Sequence, residues 1–307
     1  MFIETHMHIS LNGENSAQVR LQIADGSIDV EDYIRKIIVA YKSRGILAIR
    51  DGGDPLNLYE HVRRIAREGG IIYKTPVHAI YKEGYYGSLI GKPIKDLYDF
   101  KNMMNSLLPC KPDFVKIPLS GMMNFDSYGD TGEIGFTYDE FYYIVNYAKD
   151  KGLPVMVHVN SSQGVKMAIK AKVDTIEHGY FMDSEDLHAL KEAGTIWVPT
   201  LAPLGNIIYS NDQRFKRQIP VIRKIFEGQC HNVFEGYNLG VKIAVGSDAG
   251  AYHVYHGSGF FDELLYLNKA GIGRKVLMEI SYQNGIQSLN MSQEEIDTVN
   301  ATVLEDE

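Results

Sequence analysis

His6, His8, Lys116, His158, His178 and Asp248 are the side chains of this chain that could do chemistry together. Each falls at the end of a short apolar, strand-like run, among them Phe2 to His8, Asp113 to Ile117, Val155 to His158, Thr175 to Gly179 and Ala244 to Asp248. Neutral imidazoles ligate zinc, nickel, iron or manganese, and a carboxylate can share such an ion. A set of this kind points to metal-dependent hydrolysis, in which divalent ions acidify a water and polarise a carbonyl.

His6 and His8 are the firmest pair. Side chains alternate along a strand, so both imidazoles reach one side, and a buried polar pair without partners would be costly. His158 and His178, taken singly, read equally well as hydrogen-bonded histidines at a rim. Asp248 lies in Gly246-Ser-Asp-Ala-Gly250, where small neighbours allow close approach to the backbone, although a turn or cap aspartate would look the same. Lys116 taken alone reads as an outer-face lysine packed along its stem. Beside four histidines and an aspartate it reads differently: burial lowers a lysine pKa, and the neutral amine can take up carbon dioxide to give a carbamate whose oxygens bridge two cations.

Residues so far apart in sequence meet only if a fold gathers their strand ends. Short β-branched runs alternate with amphipathic segments, the pattern of parallel strands joined by crossover helices. Eight strands are expected, at Phe2 to His8, Ile46 to Asp51, Ile71 to Ile80, Phe114 to Leu119, Val155 to Val159, Thr175 to His178, Ile196 to Leu201 and Val241 to Ser247. Eight closes an α/β barrel of the (β/α)8 TIM type, whose carboxyl-terminal face would collect the ligands. Helices are expected at Val30 to Ser43, Asp139 to Asp150, Phe260 to Ala270 and Arg274 to Leu289, the last two packing beneath or beside the barrel. The 307 residues are read as one domain, with 291–307 an acidic tail that frays.

Composition narrows the partners. A formal charge of −8 without a basic cluster leaves no footprint for nucleic acid. The densest basic stretch, Arg214 to Lys224, alternates with apolar residues and reads as a solvated helix face. Two cysteines, Cys110 and Cys230, are too few for a disulfide scaffold and fit a reducing cytoplasm. No run has membrane-spanning length, and Met1 leads straight into a strand without a signal-peptide pattern. The expected partner is a small-molecule substrate, with assembly into a homo-oligomer left open.

With these positions in place, the chain resembles the amidohydrolase superfamily, whose pattern is His-x-His, Lys, His, His and Asp on barrel strands one, four, five, six and eight. The surrounding text is most similar to the imidazolonepropionase and metal-dependent prolidase branch: Arg50-Asp-Gly-Gly53, Ile176-Glu-His-Gly179, Val198-Pro-Thr-Leu201, Gly246-Ser-Asp-Ala-Gly250 and His256-Gly257. The resemblance implies two divalent ions, zinc by expectation, with His6, His8 and Asp248 on one, His158 and His178 on the other, and carbamylated Lys116 between them. It implies a shared hydroxide attacking an amide carbonyl, with Asp248 as the catalytic acid and base. Two departures from the branch are expected: a barrel without its accessory β-sandwich, and a loop Tyr81 to Gly87 in place of a Gly-rich, histidine-bearing segment.

Arg50, His78, Tyr81, Tyr180, Tyr252 and His256 are the expected substrate contacts, with Arg50 and His256 placed to receive a carboxylate. The expected reaction is cleavage of a C–N bond in a dipeptide, N-acyl amino acid or cyclic amide. Lactone or phosphotriester hydrolysis is the alternative on the same scaffold, and a non-catalytic metal-binding barrel is the alternative outside enzymes.

Overall fold

The computed structural model describes residues 1–210 and 212–305. In chain order the first half holds β1 (Phe2–Met7), α1 (Ser16–Ala24), α2 (Val30–Lys42), β2 (Ile46–Asp51), α3 (Tyr59–Gly69), β3 (Ile72–Lys74), β4 (Ala79–Lys82), β5 (Gly91–Ile94), α4 (Leu97–Leu107), β6 (Val115–Pro118) and α5 (Tyr138–Asp150). There follow β7 (Val155–Ser161), α6 (Ser162–Lys170), β8 (Thr175–Phe181), α7 (Ser184–Ala193), β9 (Ile196–Val198), α8 (Ala202–Tyr209), α9 (Ile219–Leu239), α10 (Ser258–Lys269), α11 (Arg274–Ser288) and α12 (Gln293–Glu305).

The helices begin where the sequence offers caps. Asp29 accepts from the Glu31 and Asp32 amides at the start of α2, and Thr137 with Glu140 forms a reciprocal capping box on α5. Each then buries one apolar face, Ile34, Ile37, Ile38 and Tyr41 in α2 and Phe141, Ile144, Val145 and Ala148 in α5. These faces meet the strands in one continuous core.

All strand pairs are parallel. One sheet runs β1-β2-β3 and the other β5-β4-β6-β7-β8-β9. The segment 241–249 closes the ring between β9 and β1. Trp197 N donates to Lys242 O at 2.8 Å, Thr5 N to Val245 O at 3.1 Å, and Asp248 N to His6 O at 2.8 Å. Glu4 stitches the same seam, accepting from Ser247 N at 2.8 Å. The result is the expected (β/α)8 barrel.

Three strands depart from expectation. The third is broken into β3 and β4, because Pro76 cannot donate to a ladder and Val77 adopts φ 66°. The seventh stops at Val198, where Pro199 and the left-handed Thr200 (φ 50°) turn the chain away. The eighth makes single bridges, Trp197 with Ile243 and Met7 with Ala249, in place of a regular strand. The tail also differs: α12 covers most of the stretch expected to fray, with Val299 buried and Tyr282 donating to Asn300 at 2.8 Å. Residues 306 and 307 of that tail lie outside the described residues. The helical pair α10 and α11 packs as expected, α11 crossing β1 so closely that a Cβ on Gly285 would lie 2.7 Å from the Ile3 Cβ. No helix among the described residues is long and apolar enough to cross a membrane.

Candidate metal centre

His6 and His8 leave the end of β1 on one side, and Asp248 reaches them from the closing segment. His6 Nε2 lies 3.3 Å from His8 Nε2 and 3.5 Å from Asp248 Oδ1, and His8 Nε2 lies 3.3 Å from the same oxygen. One ligand atom from each of the three falls within 4.8 Å of the others. Asp248 holds φ 58°, strained for a non-glycine residue, and Gly52 sits so tightly under the His8 ring that a Cβ there would be 2.2 Å from its Cε1.

The other three expected ligands come from the six-stranded sheet. The His158 and His178 rings are 4.5 Å apart, and the His178 ring is 5.1 Å from that of His6. His178 is itself left-handed, at φ 69°. Its Nδ1–H donates to Thr200 Oγ1 at 2.6 Å, and that hydroxyl donates on to Pro199 O at 2.8 Å, which leaves the Nε2 lone pair as the ligating face. His158 Nε2 lies 3.3 Å from Gly121 O. Lys116 is 1 % exposed, and its Nζ has no hydrogen-bond partner.

Glu177 organises the floor, and sequence reasoning missed it. Oε2 receives His6 Nδ1–H at 2.7 Å, and Oε1 receives Arg50 at 3.0 Å and Thr175 Oγ1 at 2.6 Å. Strict alternation sends Glu177 and His178 to opposite faces; the left-handed turn at His178 is what lets neighbours serve one centre.

Burial governs the charges. It pushes the His6 imidazole down to about 4 and that of His158 to about 3, assisted by Lys116, so both imidazoles are neutral at neutral pH, the form that can ligate a cation. His178 is held well below the ordinary range by the same burial and its histidine neighbours. Burial lowers Lys116 to about 8. For Glu177 burial opposes ionisation, but Arg50, His6 and Lys116 outweigh it and hold the carboxyl down to about 2. Asp248 is likewise lowered, burial being outweighed by His6, His8 and Lys116. Neutral imidazoles, an ionised aspartate and an unpartnered buried amine form a donor set that fits divalent cations.

The expected substrate contacts divide. Tyr180 and Tyr252 do line a cleft of about 210 Å³ that also touches His158, His178 and Asp248. The rest of its wall is Met122, Met123 and Phe125 after β6, Asn160, Pro203, Leu204 and Ile207 at α8, and Phe215 and Ala251, most of them unsuspected from sequence. Arg50 corrects the carboxylate expectation. Its guanidinium points into the barrel floor, donating to Thr5 O at 2.7 Å, Ser288 O at 3.0 Å and Thr175 Oγ1 at 3.2 Å besides Glu177. His256 is likewise committed, with Nε2 2.8 Å from Leu11 O and Nδ1 3.1 Å from the Tyr41 hydroxyl. His78 borders a separate groove with Lys92 and Asn102, its Nδ1 donating to Asp54 O at 2.6 Å. Tyr81 is buried under Gly87, whose missing side chain would strike its ring at 2.4 Å. The basic stretch is exposed as expected, with Arg214, Lys216, Arg217, Arg223 and Lys224 on the surface and Ile222 buried, and two of its cations also cover rings: Arg214 lies 4.3 Å over the Tyr252 ring and Lys224 3.9 Å over that of Tyr128.

The chain has relatives in sequence and in fold. An uncharacterized protein of Mycobacterium bovis is 29% identical over 130 residues, covering 42% of this chain and 35% of that protein. The ochratoxinase of Aspergillus niger is 27% identical over 114 residues, 37% of this chain and 24% of that enzyme. The matched stretch thus spans about a third or less of these curated relatives. Among solved structures, a Xaa-Pro dipeptidase with bound methionine superposes at a TM-score of 0.71 and 23% identity, over 94% of this chain and 75% of that one. The A. niger ochratoxinase superposes at 0.75 and 18% identity, over 94% and 71%. These likenesses establish the shared fold. The model of the amidohydrolase family matches residues 2–294, so the chain belongs to the amidohydrolase family.

Proposed function

We propose that the protein hydrolyses a C–N amide bond of a small molecule, using two divalent ions, zinc by preference. His6, His8 and Asp248 would hold one, His158 and His178 the other, and Lys116, carbamylated by carbon dioxide, would join them. The observation that carries this reading is the meeting of His6, His8 and Asp248 within 4.8 Å, with the unpartnered Lys116 amine buried on the neighbouring sheet. The likeness to a Xaa-Pro dipeptidase and an ochratoxinase supports a C–N bond as the target.

Bound ions supply Lewis acidity and an acidified water. The chain's residues do the rest. Glu177 fixes His6 with its proton on Nδ1, so Nε2 faces the ligand position. Lys116, lowered to about 8 by burial, has the neutral amine that carbamate formation needs. Asp248, held ionised and partly exposed at the cleft, accepts the proton of the attacking water and passes it to the departing amine, so that amide and water become acid and amine.

The test is metal analysis together with a substrate screen. Protein loaded with zinc or manganese should hold about two ions per chain and hydrolyse compounds among acyl-amino acids, dipeptides and hydantoins. Turnover confined to lactones would move the reaction to C–O bonds, and uptake of a single ion would remove the two-metal arrangement.

A further inference from the structure

The cleft beside the centre has an unusual polar balance. Among the described residues no arginine or lysine lines it. Arg50 and His256 are spent on protein acceptors, and Arg214, stacked on Tyr252, is exposed and outside the lining. The Tyr180 hydroxyl donates to Thr200 O at 2.6 Å. Among the described residues of its lining, the fully buried polar atom left without a hydrogen-bond partner is an acceptor, Asn160 Oδ1, on a residue 2 % exposed. Its orientation is settled by the other end of the amide, since Asn160 Nδ2 donates to Gly121 O at 3.2 Å and a flip would set oxygen against oxygen.

Met123, Phe125, Leu204, Ile207 and Phe215 make the remaining wall apolar. An apolar cavity of about 150 Å³ takes a benzene ring, so about 210 Å³ takes one ring with a short linker. A carboxylate placed against that wall, away from the proposed ions, would be desolvated with no arginine or lysine side chain to pair with it. An N–H group would satisfy the orphan acceptor.

We propose that this cleft selects a neutral secondary amide carrying an aromatic or branched apolar group, that Asn160 is the specificity-determining residue which receives the amide N–H, and that a free carboxylate on that part of the substrate is rejected. The inference rests on the amide-hydrolase reading for its chemistry, but its binding consequences can be measured without turnover.

The probes are N-phenethylbenzamide, its N-methyl derivative, and N-benzoyl-phenylalanine, which adds only a carboxylate. Short-time calorimetry with the metal-loaded protein should show the neutral secondary amide binding at least tenfold more tightly than the acid and about tenfold more tightly than the N-methyl compound. Asn160→Leu should bind the secondary and tertiary amides alike. Met122→Arg, at a cleft residue already half exposed, should raise affinity for the acid and narrow or reverse the preference. Equal or tighter binding of the acid by wild type overturns the inference, as does failure of all three compounds to bind at millimolar concentration. Neutral-amide preference in binding, with no hydrolysis of any amide by metal-loaded protein, would leave the inference standing and remove the hydrolase reading.

Discussion

Glu177 Oε2 takes the Nδ1 proton of His6 across 2.7 Å, while its other oxygen holds Arg50. This carboxylate therefore presets the His6 tautomer and neutralises a buried guanidinium at once. Glu177→Ala should weaken metal affinity by about 10- to 100-fold, as loss of a ligand's hydrogen-bond partner typically does. It should also cost about 3 to 5 kcal/mol in stability by stranding the Arg50 charge. Chelator competition and denaturant unfolding separate the two effects; an unchanged affinity would show that His6 needs no such support.

Lys116→Ala should leave the barrel folded, because the change removes a buried amine that has no partner. It should take up fewer ions than wild type, and short carboxylic acids should partly restore uptake by standing in for the carbamate. Bicarbonate should speed loading of wild type in carbon-dioxide-free buffer. Full loading and activity of the variant, with no bicarbonate effect, would make Lys116 a scaffold residue.

Asp248→Asn should lower kcat by about 10²- to 10⁴-fold while bound metal is retained, since the amide oxygen can still ligate but cannot accept a proton. Steady-state kinetics on whichever amide the screen identifies, alongside metal analysis, gives the answer. Retained turnover would take the acid-base role away from Asp248.

Glu263 offers a pH test outside the proposed ligand set. Burial raises its carboxyl from 4.5 to about 8, with the Ala202 amide donating to it at 2.7 Å. A raised folded-state pKa means that folding favours the protonated form. That contribution is complete below about pH 4.5 and is lost as pH climbs through about 8, with a slope of up to about 1.4 kcal/mol per pH unit. Glu263→Gln should therefore gain stability relative to wild type between those limits, and the difference should level off above pH 8. A constant difference across urea unfolding series would contradict the protonated, buried assignment.

Gly52→Ala should displace His8, because the added Cβ would lie 2.2 Å from the ring Cε1. The expected result is a folded protein with weakened metal uptake. Near-normal affinity would mean that His8 can shift and still ligate.

The proposed ligands stood out in the sequence because each ends an apolar run, and the helix boundaries of α2 and α5 were legible because Asp29 and Thr137 with Glu140 are explicit caps. What escaped has a common cause in single residues that reset the backbone. Val77 splits the third strand, Thr200 ends the seventh early, and His178 turns its own ring to the side that Glu177 already faces, and neither valine nor threonine advertises a left-handed conformation. Arg50 misled for a different reason. Its place at a strand end is compatible with pointing to the mouth or the floor, and only the acceptors at Thr5, Glu177 and Ser288 decide for the floor.

The split at Val77 leaves the barrel wall as two hydrogen-bonded sheets, and the proposed ligands are shared between them. His6 and His8 stand on the three-stranded sheet, Lys116, His158 and His178 on the six-stranded one, and Asp248 on the irregular segment that joins them. Any cation gripped from both sides would act as a clasp, converting two half-shells into a closed hoop. Amide exchange along 75–78 and 241–249 should then slow on metal loading far more than exchange within β7 or β8. The centre in this view is a hinge pin as well as a reagent, and the metal content of a preparation would decide how rigid its barrel is.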